Sequence, residues 1–359
     1  MKRILEGEIV TDKTSSWQER WQSALRGQHE LLFDYKTKNI KPQFAEKVNC
    51  PVCDSHRTVL YFEKDWFQYV KCQDCSMVYM NPRLNQTATY AFYNSDVNAI
   101  YNETKFDYVS IAPNLDDKIN LANLDLIDRY RTRTGGALLE IGSAKGFFLS
   151  KAKERGYNVY GIELNKKNAE FSRQLVGDTV FEVDLFDARF ATGLFDVIYM
   201  RDVIEHVPNP MPFLRELSRI AKPGALMFIE THNIDGLINQ IVREKHTVIF
   251  GFEHPNHWSP HTLGNALENS CFEVQKVIYK SLDFTLNDIL SYFYAPTFTT
   301  IMPLTVSKRR RLLLKLLRGP FWFRAVRLLD RTITPQIANL LKKGSVMKVL
   351  AEKRKEIFT

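Results

Sequence analysis

The stretch 138–149 constrains the fold of this chain more than any other. It reads LLEIGSAKGFFL, an apolar strand, a turn of small residues and the start of an amphipathic helix. This order is typical of the first βα unit of a nucleotide-binding α/β fold. In that geometry Gly142 permits the tight turn, the position of Ala144 lets a ligand approach the backbone, and Gly146 lets the helix pack closely. The loop is therefore predicted to be the floor of a ligand site.

A second apolar run, residues 158–162, ends in a carboxylate, Glu163. This acid stands about 20 residues past the loop, where a Rossmann-type unit places a carboxylate that accepts hydrogen bonds from both hydroxyls of a ribose. The ends of the two strands are therefore predicted to bracket one nucleoside.

These motifs resemble a class I S-adenosylmethionine-dependent methyltransferase, and later motifs keep that family's order. They are Val183-Asp184-Leu185, the strand at 195–199, Glu205-His206-Val207 and Lys222-Pro223-Gly224-Ala225-Leu226. The resemblance implies S-adenosyl-L-methionine as cofactor. It also implies a cofactor site made of Glu140, Gly142, Ala144, Gly146, Glu163, Asp184 and Leu185. The family usually has glycine at the position of Ala144, which implies a different grip on the methionine end of the cofactor.

Alternating strands and helices predict an α/β, Rossmann-like methyltransferase sheet of seven strands. Strands are expected near 137–141, 158–162, 179–183, 195–199, 225–230 and 272–279. In the family a last, antiparallel strand follows the sixth after a short turn. Here the basic stretch 281–343 intervenes, and residues 344–351 are predicted to supply that strand.

Four of the five cysteines form two CxxC pairs separated by 18 residues. Such spacing is typical of a zinc ribbon, in which each pair supplies two thiolates to a tetrahedral Zn²⁺ in a reducing compartment. The predicted ligands are Cys50, Cys53, Cys72 and Cys75. A closed set of four thiolates favours a structural ion, because catalytic zinc keeps an open position.

The net charge of +8 is concentrated in residues 308–331, which carry nine basic residues and one acid, Asp330. The segment is predicted to form two amphipathic helices broken at Gly319-Pro320. Three interpretations remain open: a solvated helical subdomain, docking on an anionic membrane surface through the charges and neighbouring aromatic residues, and a grip on nucleic acid.

The predicted domains follow from these boundaries. They are an N-terminal arm (1–45), the zinc ribbon (46–83), a helical linker or lid (84–136), the methyltransferase core (137–280), a basic helical insertion (281–343) and the last core strand with a tail (344–359). Since no run of 18 uncharged apolar residues and no signal-peptide core appear, we expect a cytoplasmic protein, at most peripheral to the inner membrane face.

Transfer of a methyl group to an oxygen requires that a histidine or a carboxylate remove the acceptor's proton. His206 follows the fourth strand, flanked by Asp202 and Glu205, and the loop after the fifth strand carries His254, His257 and His261. The family's pattern around Trp258-Ser259 favours His257 within that loop. The predicted catalytic residues are His257, His254 and His206, with a scaffold role, or a second metal site in the loop, as alternatives.

The ribbon, its exit Met80-Asn81-Pro82-Arg83 and the core together resemble bacterial methyltransferases of sugar and cell-surface polysaccharide biosynthesis. A small-molecule or glycan acceptor is therefore the first hypothesis. After the fourth strand the chain reads Tyr199-Met200-Arg201-Asp202 and lacks the Pro-Pro motif of amino methyltransferases, which disfavours N-methylation of nucleic acid. The alternatives are an RNA methyltransferase that grips RNA with the ribbon and the insertion, and a cofactor-binding scaffold without catalysis.

Overall fold

The structure is a computed structural model that describes residues 13–93, 113–131, 135–242, 251–280, 333 and 336–354. The basic segment 308–331 and its two predicted helices lie outside these residues, as do 1–12 of the arm and 94–112 of the linker. Among the described helices, none is both long enough and apolar enough to cross a membrane.

The N-terminal part combines two helices with short antiparallel strands. The helix α1 (Lys13–Leu32) precedes a small hairpin, and the ribbon strands follow before the helix α2 (Gln86–Tyr93). The strands are β1 (Phe33–Asp34), β2 (Asn39–Ile40), β3 (Ala45–Glu46), β4 (Thr58–Lys64), β5 (Phe67–Cys72), β6 (Val78–Met80) and β7 (Arg83–Leu84).

The α/β core begins with the helix α3 (Pro113–Arg129) and continues through alternating elements. Its strands are β8 (Gly136–Ile141), β9 (Tyr157–Ile162), β10 (Val180–Phe181), β11 (Phe195–Arg201), β12 (Ala221–His232), β13 (Asn256–His257), β14 (Phe272–Lys280) and β15 (Val346–Lys353). Its helices are α4 (Phe147–Glu154), α5 (Lys166–Val176), α6 (Pro210–Ile220), α7 (Leu237–Val242) and α8 (Pro260–Glu268).

Seven of these strands form the core sheet in the order β10-β9-β8-β11-β12-β15-β14. The strands β8 to β12 run parallel, whereas β15 lies antiparallel between β12 and β14. The predicted Rossmann-like sheet and its antiparallel last strand are therefore confirmed. The carboxyl ends of β8, β9 and β11 meet at one edge, which is where ligands bind in such sheets.

Both faces of the sheet are covered by apolar layers. On one face α3, α4 and α5 bury residues such as Leu124, Leu149 and Val197. On the other, α6 and α8 pack together with the ribbon, whose Cys72 and Tyr79 belong to one apolar cluster with the core. Because each fully buried Leu or Phe contributes about 1.5–3 kcal/mol, the shared cluster ties the ribbon firmly to the core.

The ribbon sheet has four strands in the order β13-β6-β5-β4, and β13 comes from the core. Asn256 pairs with Tyr79 and His257 pairs with Val78 in antiparallel register. Just beyond β13, α8 begins with a capping box in which Ser259 and Thr262 bond reciprocally. A segment far along the chain thus completes the ribbon, and the two modules share one sheet.

Candidate active site

The loop after β8 adopts the backbone that its sequence predicted. Gly142, Ala144 and Gly146 have φ angles of 69°, 45° and 73°. A Cβ on Gly142 would come within 2.8 Å of Val203 Cγ2, and one on Gly146 would collide with Ser172 Oγ. Ala144 occupies a left-handed conformation that costs an L-residue about 1–2 kcal/mol. Contacts elsewhere must therefore hold the loop in place.

Glu163 supplies one of these contacts. Its Oε2 accepts a hydrogen bond from the Ala144 N–H at 2.8 Å, and its Oε1 accepts one from the Asn165 N–H at 2.6 Å. A carboxylate has about four lone-pair positions, so it can accept from a ligand's hydroxyls as well. The strand-end acid therefore braces the strained loop while lying beside it.

Glu140 lies beneath the same loop at the end of β8. It is only 7% exposed, and its Oε2 is buried without a hydrogen-bond partner among the described residues. Burial raises the pKa of Glu140 well above its usual value, and the positive charge of Arg201 opposes that rise. Arg201 Nη1 also donates to Asn120 Oδ1 at 3.2 Å. An orphaned carboxylate oxygen next to a guanidinium fits the ammonium and carboxylate of an amino-acid ligand.

Asp184 and Leu185, two residues of the predicted cofactor site, follow β10 and differ in their surroundings. Asp184 Oδ1 accepts from the N–H groups of Phe186 and Asp187 at 2.8 and 2.9 Å, and so shapes its own turn. The Leu185 side chain is 3% exposed and belongs to the core, which leaves only its backbone for a ligand contact. Two exposed apolar residues were missed: Phe186 (52% exposed) and Leu164 (71% exposed). Each directly follows a residue of the predicted cofactor site, a position that could have marked them.

His206 lies at the end of the 3-10 turn Ile204–His206, just past β11. Its Nδ1 is 3.0 Å from the carbonyl oxygen of Glu253. Because a carbonyl only accepts, Nδ1 must carry the proton, and the neutral ring then has its basic nitrogen at Nε2. The ring of His254 lies edge-on, with centroids 4.6 Å apart. The structure thus brings two of the three predicted catalytic histidines together.

Three more residues join these two to form what we call the histidine cluster: Asp202, Glu205 and His232. The potential ligand atoms of Glu205, His206 and His254 lie within 4.8 Å of one another, as do those of Asp202, Glu205 and His232. Burial lowers the pKa of His232, so that its imidazole stays neutral, although nearby acids oppose the shift. Sequence reasoning missed His232, which ends the fifth core strand and could have been recognised from that position.

A small cavity of about 20 Å³, open to solvent, lies beside His206. It lies between the exit of the ribbon, the turn after β11 and the loop before β13. Its lining residues are Met80, Arg83, Leu84, Thr89, His206, Pro208, Gly251, Phe252, Glu253 and Pro255. Its walls combine apolar residues with a few polar groups, so an acceptor would meet both kinds of surface beside His206.

The other two loop histidines lie apart from the cavity. His257 is 4% exposed in β13, with its ring centroid 5.0 Å from that of Tyr69, and its Nε2 is buried without a hydrogen-bond partner among the described residues. Burial lowers the pKa of His257 to about 3. His261 is exposed and accepts at Nε2 from Asn265 Nδ2 at 3.2 Å. His257, which the resemblance favoured, is therefore not placed to meet a substrate in that cavity.

The four ribbon cysteines converge. The Sγ atoms of Cys50 and Cys75 are 3.4 Å apart, those of Cys53 and Cys72 are 3.6 Å apart, and all four lie within 4.8 Å of one another. Zinc–sulfur bonds of about 2.3 Å in a tetrahedron put the sulfurs about 3.8 Å apart. The cluster therefore fits a metal ion held by four thiolates, with no position left for a substrate.

Comparisons with known proteins agree with this geometry. Residues 115–277 match a family model described as "Methyltransferase domain". A ubiquinone biosynthesis O-methyltransferase from Azoarcus sp. (strain BH72) is 32% identical over 122 residues, which cover 32% of this chain and 52% of that protein. One from Chromobacterium violaceum is 31% identical over 122 residues, covering 32% and 53%. The chain thus spans about half the length of these relatives.

Among solved structures, a SAM-dependent methyltransferase from Archaeoglobus fulgidus superimposes with a TM-score of 0.44 at 18% identity, covering 68% of this chain and 99% of that one. The sheet order, the glycine-spaced loop and the family match concern the same part of the chain. We conclude that residues 115–277 are similar to known methyltransferase domains and are built on a Rossmann-like α/β sheet.

Proposed function

We propose that the protein transfers a methyl group from S-adenosylmethionine to a hydroxyl of a small-molecule or glycan acceptor, with a sugar of cell-surface polysaccharide biosynthesis as the first candidate. The observation that carries the proposal is the position of His206, which lines the cavity and lies close in the chain to a neighbour of the loop after β8 (residues 142–146), here called the cofactor loop. Val203, three residues before it, would touch a Cβ on Gly142. A candidate base and a candidate cofactor floor therefore adjoin.

On the cofactor side, the chain's own residues divide the work. S-adenosylmethionine, when bound, supplies a methyl group on a sulfonium. Glu163 accepts hydrogen bonds from the ribose hydroxyls, and the exposed Leu164 and Phe186 offer apolar surface to the adenine. Glu140 accepts from the ammonium group, and Arg201 pairs with the carboxylate. In the family, the backbone of a glycine-rich loop contacts the methionine end of the cofactor. Ala144 alters that contact here, and Glu140 and Arg201 would replace it.

On the acceptor side, His206 is the candidate general base. With Nδ1 donating to the Glu253 carbonyl, Nε2 is the nitrogen that takes the acceptor's proton. His254 stands against the ring and helps to hold it. Apolar cavity walls such as Met80 and Phe252 exclude water and orient the acceptor, because in-line displacement depends mainly on alignment. The named O-methyltransferase relatives support an oxygen acceptor.

The ribbon cysteines would hold one Zn²⁺ with a structural role. All four thiolates are used within the cluster, so the chemistry of proton removal stays with the histidines. The metal would stabilise the folded ribbon and would take no part in methyl transfer.

Calorimetry with S-adenosylmethionine and a screen with methyl-labelled cofactor test this function. We expect cofactor binding and label in nucleotide sugars or glycans, abolished in His206→Gln and kept in the control His261→Gln. Label in a phenol would support methyl transfer to a hydroxyl but would show that the acceptor is a phenol and not a sugar. Label in RNA that falls with added salt would favour the RNA alternative. Cofactor binding without transfer to any of these acceptors would favour the scaffold, and no cofactor binding would overturn the proposal.

A further inference from the structure

The ribbon holds the backbone of the loop that carries His254. In addition to the pairing of β6 with β13, the Met80 N–H donates to the Pro255 carbonyl at 2.8 Å. The Tyr69 hydroxyl donates to the carbonyl of His254 at 3.3 Å. Tyr69 is fully buried, so this contact is shielded from water. Residues 253–258 therefore take their position from the ribbon as much as from the core.

A second set of contacts holds the turn that carries His206. The carbonyl of Ile204 accepts from Trp258 Nε1 at 3.2 Å, and the carbonyl of Val207 accepts from Asn256 Nδ2 at 2.6 Å. Both donors belong to the ribbon-bound loop. Residues 204–209, residues 253–258 and the ribbon surface that they meet form what we call the ribbon seam.

Arg83, at the ribbon's exit, bridges this seam directly. Its Nε donates to Glu46 Oε2 at 3.0 Å, and its Nη1 donates to the Pro208 carbonyl at 2.7 Å. Both Nη atoms also donate to Asn209 Oδ1 at 3.2 Å. The side chain is therefore bonded to the ribbon side through one edge and to the turn after His206 through the other.

These bonds leave Arg83 little capacity to bind a ligand, although it lines the cavity. A guanidinium has five N–H donors, and the contacts above use four of them. Its charge is also compensated by Glu46 in a side-chain ion pair. The planar fork suits this arrangement because a lysine ammonium could not reach both sides in the same geometry. Arg83 therefore forms part of the cavity wall, with its donors bonded to protein groups and not directed at a ligand.

We propose that Arg83 is a positioning residue that couples the folded ribbon to His206, so that the ribbon is a structural part of the acceptor site. The side chain holds the turn in the place where the Glu253 carbonyl accepts a hydrogen bond from the Nδ1–H of His206. Loosening that turn changes which ring nitrogen carries the proton. This inference rests on the proposed role of His206 as base, but its test needs no acceptor.

The test is a long-range ¹H–¹⁵N correlation spectrum of the full chain labelled on histidine, with the His206 signal assigned through His206→Gln. We expect the Nδ1–H tautomer in the wild type, a loss of that signal with a shifted titration in Arg83→Met, and partial rescue in Arg83→Lys. The matched control is Arg57→Met, since Arg57 pairs with Asp74 on the exposed side of the same ribbon. Zinc content and the Kd of S-adenosylmethionine are measured alongside and should not change.

An unchanged His206 spectrum in Arg83→Met would overturn the proposal, as would loss of zinc from that variant, which would assign Arg83 to the ribbon alone. If Arg83→Met does not fold, Asn209→Ala removes the shared acceptor and should weaken the same signal; a wild-type spectrum there would equally contradict us. A failure of methyl transfer would remove the proposed function but would leave the spectroscopic result intact.

Discussion

The cofactor loop and the histidine cluster lie at the same edge of the core sheet but are held in different ways. The loop is one continuous stretch, fixed by hydrogen bonds to the adjacent strand: the N–H groups of Gly142 and Ser143 both donate to the Ile162 carbonyl, at 2.8 and 3.0 Å. The histidine cluster comes from three separate segments around residues 202–206, 232 and 254. The segments around His206 and His254 depend on the ribbon seam, whereas His232 is held in β12 by its pairing with β15.

This difference predicts how each region fails. A local loop supported by its neighbouring strand should keep its shape when a distant module is damaged. A cluster assembled across a seam should lose its geometry when the seam is loosened, because the segments that carry His206 and His254 take part of their position from contacts across it. Cofactor binding and proton removal should therefore be separable by mutation.

The largest effect is expected from the ribbon. Cys72→Ser removes a ligand that is 1% exposed and lies in the apolar cluster shared with the core. Loss of the metal should lower the free energy of unfolding by more than about 4 kcal/mol, since loss of a metal site is among the few changes that reach such values. Urea denaturation and elemental analysis measure this, and Cys271→Ser, an exposed cysteine outside the cluster, is the control. One zinc per chain and wild-type unfolding in Cys72→Ser would show that the cysteines do not hold a structural ion.

Next comes Glu163→Ala, which removes the proposed acceptor of the ribose hydroxyls together with the hydrogen bond that Glu163 accepts from the Ala144 N–H. Affinity should fall by about 1–3 kcal/mol because buried hydrogen-bonding groups lose their partner. The loss should be equal for S-adenosylmethionine and for methylthioadenosine, which shares the ribose. Calorimetry with both ligands tests it, with Glu154→Ala on α4 as control. An unchanged Kd for both would remove Glu163 from the site.

A smaller effect is expected from Arg201→Met, and it should depend on the ligand. Loss of one charge-assisted pair should weaken S-adenosylmethionine binding about tenfold, which equals about 1.4 kcal/mol. Methylthioadenosine lacks the amino-acid moiety, so its affinity should stay the same. Equal loss for the two ligands would mean that Arg201 supports the loop and does not contact the methionine end.

The smallest effect concerns pH and the ribbon seam. Burial depresses the pKa of His257 to about 3 from its ordinary value of 6.5, so the unfolded chain binds a proton that the folded chain excludes. Stability from this group is present above pH 6.5 and falls as the pH drops towards 3; at pH 6 the loss is about 0.8 kcal/mol.

His257→Leu should remove that slope, whereas His261→Leu, at an exposed histidine of the same loop, should keep it. Urea denaturation of each variant between pH 7.5 and 6 gives the measurement. Identical slopes in wild type and His257→Leu would show that His257 is protonated or solvated in the folded state.

Much of the candidate cofactor site could be predicted from the sequence, because the features that define it lie close together along the chain. Strand periodicity, the spacing of Gly142 and Gly146 and the acid at the end of the second strand all act within about 25 residues, and each has one favoured geometry. The convergence of the cysteines could also be predicted, since the spacing within and between the two CxxC pairs is typical of a zinc ribbon. Leu185 shows the limit: sequence order placed it near the ligand, but packing turned its side chain into the core and left Phe186 exposed.

What only the tertiary structure decided is which of the histidines meet. His206 follows β11, His232 ends β12 and His254 precedes β13, and no periodicity links them. They come together because β11 and β12 are neighbours and because β13 joins the ribbon sheet. His257 is the second residue of β13. The pairing of β13 with β6 that brings His254 to His206 therefore also buries His257. The sequence by itself determined the backbone of the cofactor loop and the pairing of the cysteines in two CxxC turns, because short-range sterics and residue spacing define both. The acceptor side was decided by contacts between residues more than 100 positions apart, such as Arg83 with Pro208 and Asn209, and such contacts leave no pattern along the chain.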